Sequence, residues 1–482
     1  MRISEVFGLN KTQAELDFVD IDPTRDLRLF VDPYFLAARS DGWSVSASRT
    51  IRSFFQHFIT LVRAGHHVAA RHLFAHLSEP NETCLGLSQG TPSGRGIGTL
   101  NADNIYASLV RSRAVQTGVV EHLEDCRLFV DGIDKDKTSD MTTNIIRQHL
   151  IEYTANQCRL WGMETARDVP SGFAWDRARC QWVNTHCDML VVDGRRILLL
   201  PKAIVSYSDR YAPQKYYQHY VLDFLQHEHL SMNSNLVQRN VRRDGTERRF
   251  VTKKSLSETV APYSKEFLTT FTQRHPEVFR EFRQSAGAGD SSLLNQELSP
   301  SHVGDIAAFL ARRLPSIPSG NATATEYHRT VAGILELVFY PNLVCPQIEQ
   351  EIHDGRKRID VTFDNAAETG FFWRLHTTYQ IPSQYIFVEC KNYRRDVANP
   401  ELDQIAGRFS PNRGKFGLLV CRNIDNPTLF IERCKDTYRD QRGLIIPLTD
   451  SDICNILMQI SGGDDRPEEG LLANRVRQIM LT

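Results

Sequence analysis

Asp360, Glu389 and Lys391 are the residues whose types and spacing point most directly to chemistry. Glu389 and Lys391 sit in the apolar run YIFVECK, Tyr385 to Lys391. Side chains on a strand alternate between faces, so these two point one way while Val388 and Cys390 point the other. The segment GRKRID ends at Asp360 and opens a second strand-like run, RIDVTF. If the two strands are neighbours, Asp360 joins Glu389 and Lys391 at one spot. Paired carboxylates hold a hard divalent cation such as Mg2+ or Mn2+, with the Cys390 backbone carbonyl as a further oxygen ligand. Such an ion polarises a phosphodiester and lowers the pKa of a bound water. The lysine ammonium then orients that water and offsets charge on the phosphorus. The plain alternative is a solvated strand face, where Glu and Lys are common. Charges inside an otherwise apolar strand argue against it, because they are costly unless paired or metal-bound.

These residues need a scaffold, and the last 160 residues supply a distinct rhythm. A helix over Thr325 to Phe339 precedes three strand-like runs, CPQIEQEI, RIDVTF and YIFVECKNY. A helix (PELDQIAGRF), a buried strand (FGLLVCR), a helix over Asn426 to Arg439, a strand (GLIIPL) and a helix over Ser451 to Ile460 follow. The order α-β-β-β-α-β-α-β predicts a mixed sheet flanked by helices. The segment Ala366 to Ser383 reads as an inserted excursion.

Asp360 followed by Glu389-Cys390-Lys391 on the next apolar strand resembles the PD-(D/E)xK motif of the restriction-endonuclease-like nuclease superfamily. The resemblance covers about Thr325 to Ile460, and the E-C-K triplet followed by Asn-Tyr is similar to the Mrr-type branch. It implies a restriction-endonuclease-like α/β domain and a Mg2+- or Mn2+-dependent DNA endonuclease active in restriction or antiphage defence. It also implies a metal-binding glutamate on the first helix, Glu326 or Glu336, and a glutamine after the lysine strand, Gln404. One departure is that Gly355-Arg356-Lys357-Arg358-Ile359 replaces the proline before Asp360. Two nicks make a double-strand break, so a homodimer or higher homo-oligomer is expected, with other proteins of a defence system as possible partners. Two other readings stay open: an RNA or branched-DNA nuclease of the same fold, and a catalytically silent nucleic-acid-binding scaffold.

Basic residues surround the motif. Arg356, Lys357, Arg358 and Arg394, with Arg395, Arg408, Arg413 and Lys415, are placed to neutralise phosphates beside a scissile bond. Further upstream, RNVRRDGTERRFVTKK (Arg239 to Lys254) holds seven basic and two acidic residues around an Asp-Gly turn. It reads as a basic hairpin that lies along DNA through Arg242, Arg243, Arg248 and Arg249, or equally as a solvated hairpin or a contact to an acidic partner.

Weaker signals lie in the N-terminal half. GTPSGRGIG (Gly90 to Gly98) lacks the Gly-Lys-Ser/Thr ending of a P-loop and reads as a surface loop. Asp188 and Lys202, with Leu200 where a second acid would stand, faintly echo a nuclease core that has lost its acid. His72 and His76 lack the glutamate of an HExxH site, so exposed or packed histidines are favoured over a metal site. One long helix fits Met141 to Leu160, capped by Asp140 or Thr142.

The chain has 482 residues, with 57 Lys+Arg against 58 Asp+Glu. That balance excludes a uniformly cationic protein, so a nucleic-acid site must be a local patch. The apolar stretches fall far short of the ~20 residues of a membrane span, and no signal-like apolar core opens the chain, so a cytoplasmic protein without membrane contact is expected. The ten cysteines include no CxxC pair and read as buried thiols. Composition shifts divide the chain into a helical α+β domain (1–165), a middle region with β-hairpins (166–284), a linker with a short helix (285–322) and the nuclease-like domain (323–482). The regions before the linker together form a larger, mainly helical α+β part expected to sense or select the target.

Overall fold

The computed structural model describes residues 1–77, 79–86, 99–207, 211–241, 247–287, 293–298, 302–348, 361–393 and 395–481. The chain is mixed α/β, with a five-stranded mixed sheet in its C-terminal part.

The N-terminal part is mainly helical. Helix α1 (Gly42–Arg63) starts at Asp41, whose carboxylate accepts from the Ser44 amide at 2.9 Å, and buries Ile51, Phe54, Phe55 and Phe58. The helix expected over Met141 to Leu160 is two helices, α2 (Lys135–Ile145) and α3 (Arg147–Trp161). Asp134, rather than Asp140 or Thr142, caps the first of them, accepting from the Lys137 amide. Thr138, Thr142 and Thr143 face inward and return their hydroxyls to carbonyls one turn back, which satisfies them in a buried stretch.

Three strands follow, β1 (Ala166–Asp176), β2 (Gln181–Val192) and β3 (Arg195–Ile197), in that order in an antiparallel sheet. The hairpin between β2 and β3 turns at Asp193-Gly194, both at positive φ (48° and 75°), as a two-residue turn between twisted strands requires. A separate ribbon pairs β4 (Gln238–Val241) with β5 (Glu247–Phe250).

Helix α4 (Val303–Ser316) occupies the segment HVGDIAAFLARRL and buries Ile306, Ala307, Leu310, Ala311 and Leu314. The C-terminal part then runs α5 (Ala324–Phe339), β6 (Leu343–Ile348), β7 (Val361–Asn365), α6 (Gly370–Thr377), β8 (Tyr385–Lys391) and α7 (Asn399–Ala406). It finishes with β9 (Phe416–Cys421), α8 (Pro427–Arg439), β10 (Leu444–Thr449), α9 (Asp450–Ser461) and α10 (Pro467–Met480). The sheet order is β10-β9-β8-β7-β6. Strands β6, β7 and β8 are antiparallel neighbours, and β8, β9 and β10 run parallel. The excursion between β7 and β8 holds α6, whose Phe371 and Phe372 pack into the core. Helix α4 packs against α9.

Burial explains why β8 is central. Six of its seven residues are buried, and β9 beside it is buried throughout, as expected for parallel strands covered on both faces. One contiguous cluster of buried apolar side chains extends from Ile3 to Ile479, so both halves of the chain share a core. At their junction α3 packs on β6 and α1 on β7. The Trp43 amide donates to Asp364 at 2.8 Å, Gln157 donates to the Pro346 carbonyl at 3.2 Å, and the Cys345 amide donates to Asp17 at 3.1 Å. Among the described residues, no helix is long and apolar enough to cross a membrane.

Candidate active site

The site is built at the C-terminal end of β8. In the register of β8 with β9, Glu389 lies opposite Leu419 and Lys391 opposite Cys421. Alternation puts both charged side chains on one face of the sheet, and both are essentially without solvent exposure, at 0% and 1%. A buried ion is tolerated only with partners. The Lys391 ammonium meets a Glu389 carboxylate oxygen directly and donates to Gln404 Oε1 at 2.9 Å. Arg408 reaches the other Glu389 oxygen at 3.1 Å.

Gln404 and Arg408 come from α7 and the turn after it. Asn399 and Pro400 open that helix, and Glu401 reaches back to the Ala398 amide at 2.8 Å. Residues 404 and 408 are one turn apart, which sets them on the same flank of α7 and aims both at β8. The described groups amount to two cations around one carboxylate, a net charge of +1. That surplus favours the approach of an anion, such as a phosphodiester or a further carboxylate.

Behind Lys391, Asn392 ties the site to the start of α5. Its side-chain amide donates to the Gly320 carbonyl at 2.9 Å, to the Thr323 hydroxyl at 3.2 Å and to the Pro318 carbonyl at 3.3 Å. The Gly320 amide returns a bond to the Asn392 carbonyl at 2.9 Å. Replacing Asn392 by alanine is expected to leave these groups short of a donor, at a cost of about 1–3 kcal/mol. Denaturant unfolding measures this loss; an unchanged midpoint would show the tether to be dispensable.

The two first-helix glutamates have different surroundings. Glu326 lies in the first turn of α5, near that tether, and pairs with Arg313 at the surface. Glu336 lies about 15 Å further along the axis and is buried against Lys202, 3.1 Å away. Asp360, Arg356, Lys357, Arg358, Arg394, Arg242 and Arg243 lie outside the described residues. Val361, which follows Asp360 in the chain, pairs with Val388, which precedes Glu389. Cys390 is buried, its side chain in the apolar core on the opposite face from Glu389. Arg408 points into the site rather than out over it. Arg248 and Arg249 stand exposed on β5, opposite Asn240 and Arg239. Arg395 lies 4.8 Å from the Tyr393 ring centre and is exposed, while Arg413 lies over Phe387.

A second buried charge cluster joins the two halves of the chain, and only Lys202 and Glu336 of it stand out in the sequence. Lys202, wholly buried, donates to Asn295 at 2.9 Å, pairs with Glu336 and lies 4.0 Å from the Tyr340 ring centre. Both Glu336 oxygens are buried, and Lys202 lies 3.1 Å from one of them. Burial pushes the Glu336 carboxyl up to about 8, with Lys202 opposing the rise and Asp17 adding to it. Asp17 is raised in the same way by burial, against the Tyr153 hydroxyl that donates to it at 2.6 Å and against Lys202. Asp188 is exposed on β2 while Lys202 is enclosed, so these two do not form the echo of a nuclease core suggested by their order. Glu336 carries one sequence signal, a lone acid in the apolar run GILELVF.

Elsewhere, His76 stacks on Phe173 and meets His72 edge-on. Among the described residues, no group of three or more His, Cys, Asp or Glu side chains is placed to hold a metal ion.

A sequence family described as a domain of unknown function, DUF8370, matches residues 8–212. No curated protein and no solved structure matches the chain. The match leaves the Glu389 site outside its limits.

Proposed function

We propose that the chain is a metal-dependent endonuclease that hydrolyses DNA phosphodiesters through Glu389, Lys391 and Gln404, with a C-terminal domain of restriction-endonuclease-like type. The observation that carries this reading is a fully buried Glu389–Lys391 pair at the end of a central strand, held by Gln404 from the next helix. A structural ion pair has no need of that position, and a hydrophobic pair there would cost less.

The donor set suits Mg2+ or Mn2+: Glu389 and the Cys390 carbonyl offer hard oxygen, and Asp360 is the acid that would complete the pair. A cation held there supplies Lewis acidity toward the phosphate and a more acidic water. Gln404 fixes the Lys391 ammonium, and Lys391 offsets negative charge as it grows on the phosphorus. Arg408 balances part of the Glu389 charge. The exposed arginines of β5 add a patch suited to phosphate contacts on an otherwise neutral chain. The N-terminal part then selects the target, and the setting is restriction or antiphage defence.

Purified protein with Mg2+ or Mn2+ is expected to cut DNA in a panel of plasmid, methylated, single-stranded and RNA substrates, and chelation is expected to stop it. Cutting confined to RNA would replace the substrate and keep the site. Cutting that survives chelation would sink the metal assignment.

A further inference from the structure

A cavity of about 550 Å³ opens within the DUF8370-matched part, remote in sequence from Glu389. Its walls differ in kind. One is aromatic: Phe173 is 42% exposed, although a phenylalanine gains by burial, and it stacks on His76 with ring centres 3.8 Å apart. His76 is in turn braced edge-on by Trp182, whose indole donates to the Leu73 carbonyl at 2.9 Å. Burial lowers the His76 pKa, so this wall is a neutral stacking surface at pH 7.

Another part of the lining is basic. Arg147 and Arg196 converge on Glu82 at 3.1 and 2.9 Å, which leaves the trio one positive charge in excess. Main-chain carbonyls hold both guanidiniums: Ser171 accepts from Arg147 at 3.2 Å and Pro170 from Arg196 at 2.7 Å. Gly172 makes room for this. A Cβ there would sit 3.0 Å from Arg147 Nη1, and its φ of +72° suits glycine. Arg195, exposed on the same lining, adds a second unit of charge. The lining also includes the half-buried carboxyl of Glu79.

We propose that this cavity binds a nucleoside monophosphate unit, its base stacked on Phe173, its phosphate against Arg195 and Arg196, and an amino-bearing base edge toward Glu79. The volume lies within the ~300–1,000 Å³ of small-molecule sites, and every base offers a π-face that stacks on an aromatic ring. Neither a plain anion nor an apolar ligand uses both walls. The unit has two sources, a free nucleotide or one nucleotide of a single strand. The inference stands apart from the nuclease reading, since its site shares no residue with Glu389, Lys391 or Gln404.

Calorimetric titration of the full chain with AMP, GMP, CMP, UMP, inorganic phosphate and a short single-stranded oligonucleotide tests this. At least one mononucleotide or the oligonucleotide is expected to bind saturably. Binding by mononucleotides marks a free ligand, and binding by the oligonucleotide alone marks a strand. Phe173→Ala, at a half-exposed position that leaves the fold intact, is expected to weaken binding about tenfold or more. Arg195→Glu, at an exposed position, is expected to weaken it as well. Absence of binding to every nucleotide and to the oligonucleotide overturns the proposal. So does phosphate binding as tightly as the nucleotides, or affinity unchanged in Phe173→Ala with native circular dichroism.

Discussion

Lys391→Ala is expected to lower cleavage at least about 10²-fold and to cost about 3 kcal/mol of folding stability, the lower end for a broken buried pair. The stability loss falls at that end because Arg408 remains beside Glu389 at 3.1 Å. Loss of activity alone would therefore be ambiguous. The double variant Glu389→Gln/Lys391→Met separates the two effects. It removes both charges from positions with no solvent contact, so it should recover most of the lost stability. Arg408, 20% exposed, turns toward water. The double variant should nevertheless stay inactive, because the Glu389 carboxylate and the Lys391 ammonium are both gone. Cleavage rates and denaturant midpoints measured on wild type, single and double variants decide the matter. A well-folded double variant that cuts at the wild-type rate would remove Glu389 and Lys391 from the chemistry.

The second large effect lies away from that site. Lys202→Met is expected to destabilise the protein by about 3–5 kcal/mol, since it leaves two acids buried without their ammonium. Glu336→Gln should lose less stability than wild type as pH rises. Asp17 and Glu336 share one cation, so the cluster is best balanced with a proton on one of the acids. A carboxyl raised in the folded state binds its proton more tightly there than in the unfolded chain. Its stabilising contribution is complete below the ordinary value of 4.5 and disappears as pH climbs toward about 8. Wild type therefore loses stability across that window, and Glu336→Gln loses less. Asp364, Glu124 and Asp140, each also raised to about 8 with burial as the main cause, contribute in the same direction to both proteins and cancel in the comparison. Unfolding midpoints at about pH 5 and about pH 8.5 read the difference. A gap between wild type and Glu336→Gln that stays constant with pH would show that Glu336 does not titrate in this range.

The two clusters differ in how far they can be read from residue order. Glu389 and Lys391 are two apart on a strand whose other members are apolar, so period and composition together mark them. Gln404 stands on the next helix and reaches Lys391 because the chain folds straight back over β8. The strand and helix order of the C-terminal part was legible for the same reason, through short connections and strong patterns. Lys202 and Glu336 meet only through tertiary packing of distant segments, and no local pattern encodes that. The break between α2 and α3 leaves no mark in the pattern, because Ile145 and Ile146 continue an apolar stripe across it. Helix α10 carries a fair sequence signal of its own: Pro467 opens it, and Leu472, Val476 and Ile479 bury one face.

Lys202 bears on how this protein can be divided. The stretch that recurs as a sequence family ends at residue 212 and contains Asp17 and Lys202. Asn295, Glu336 and the Cys345 amide, which answer them, lie beyond it. A fragment trimmed to the family border would carry an ammonium and a carboxylate shaped for partners left behind on the other piece. The unit that evolution copies and the unit that folds have different borders here, and expression work should follow the second.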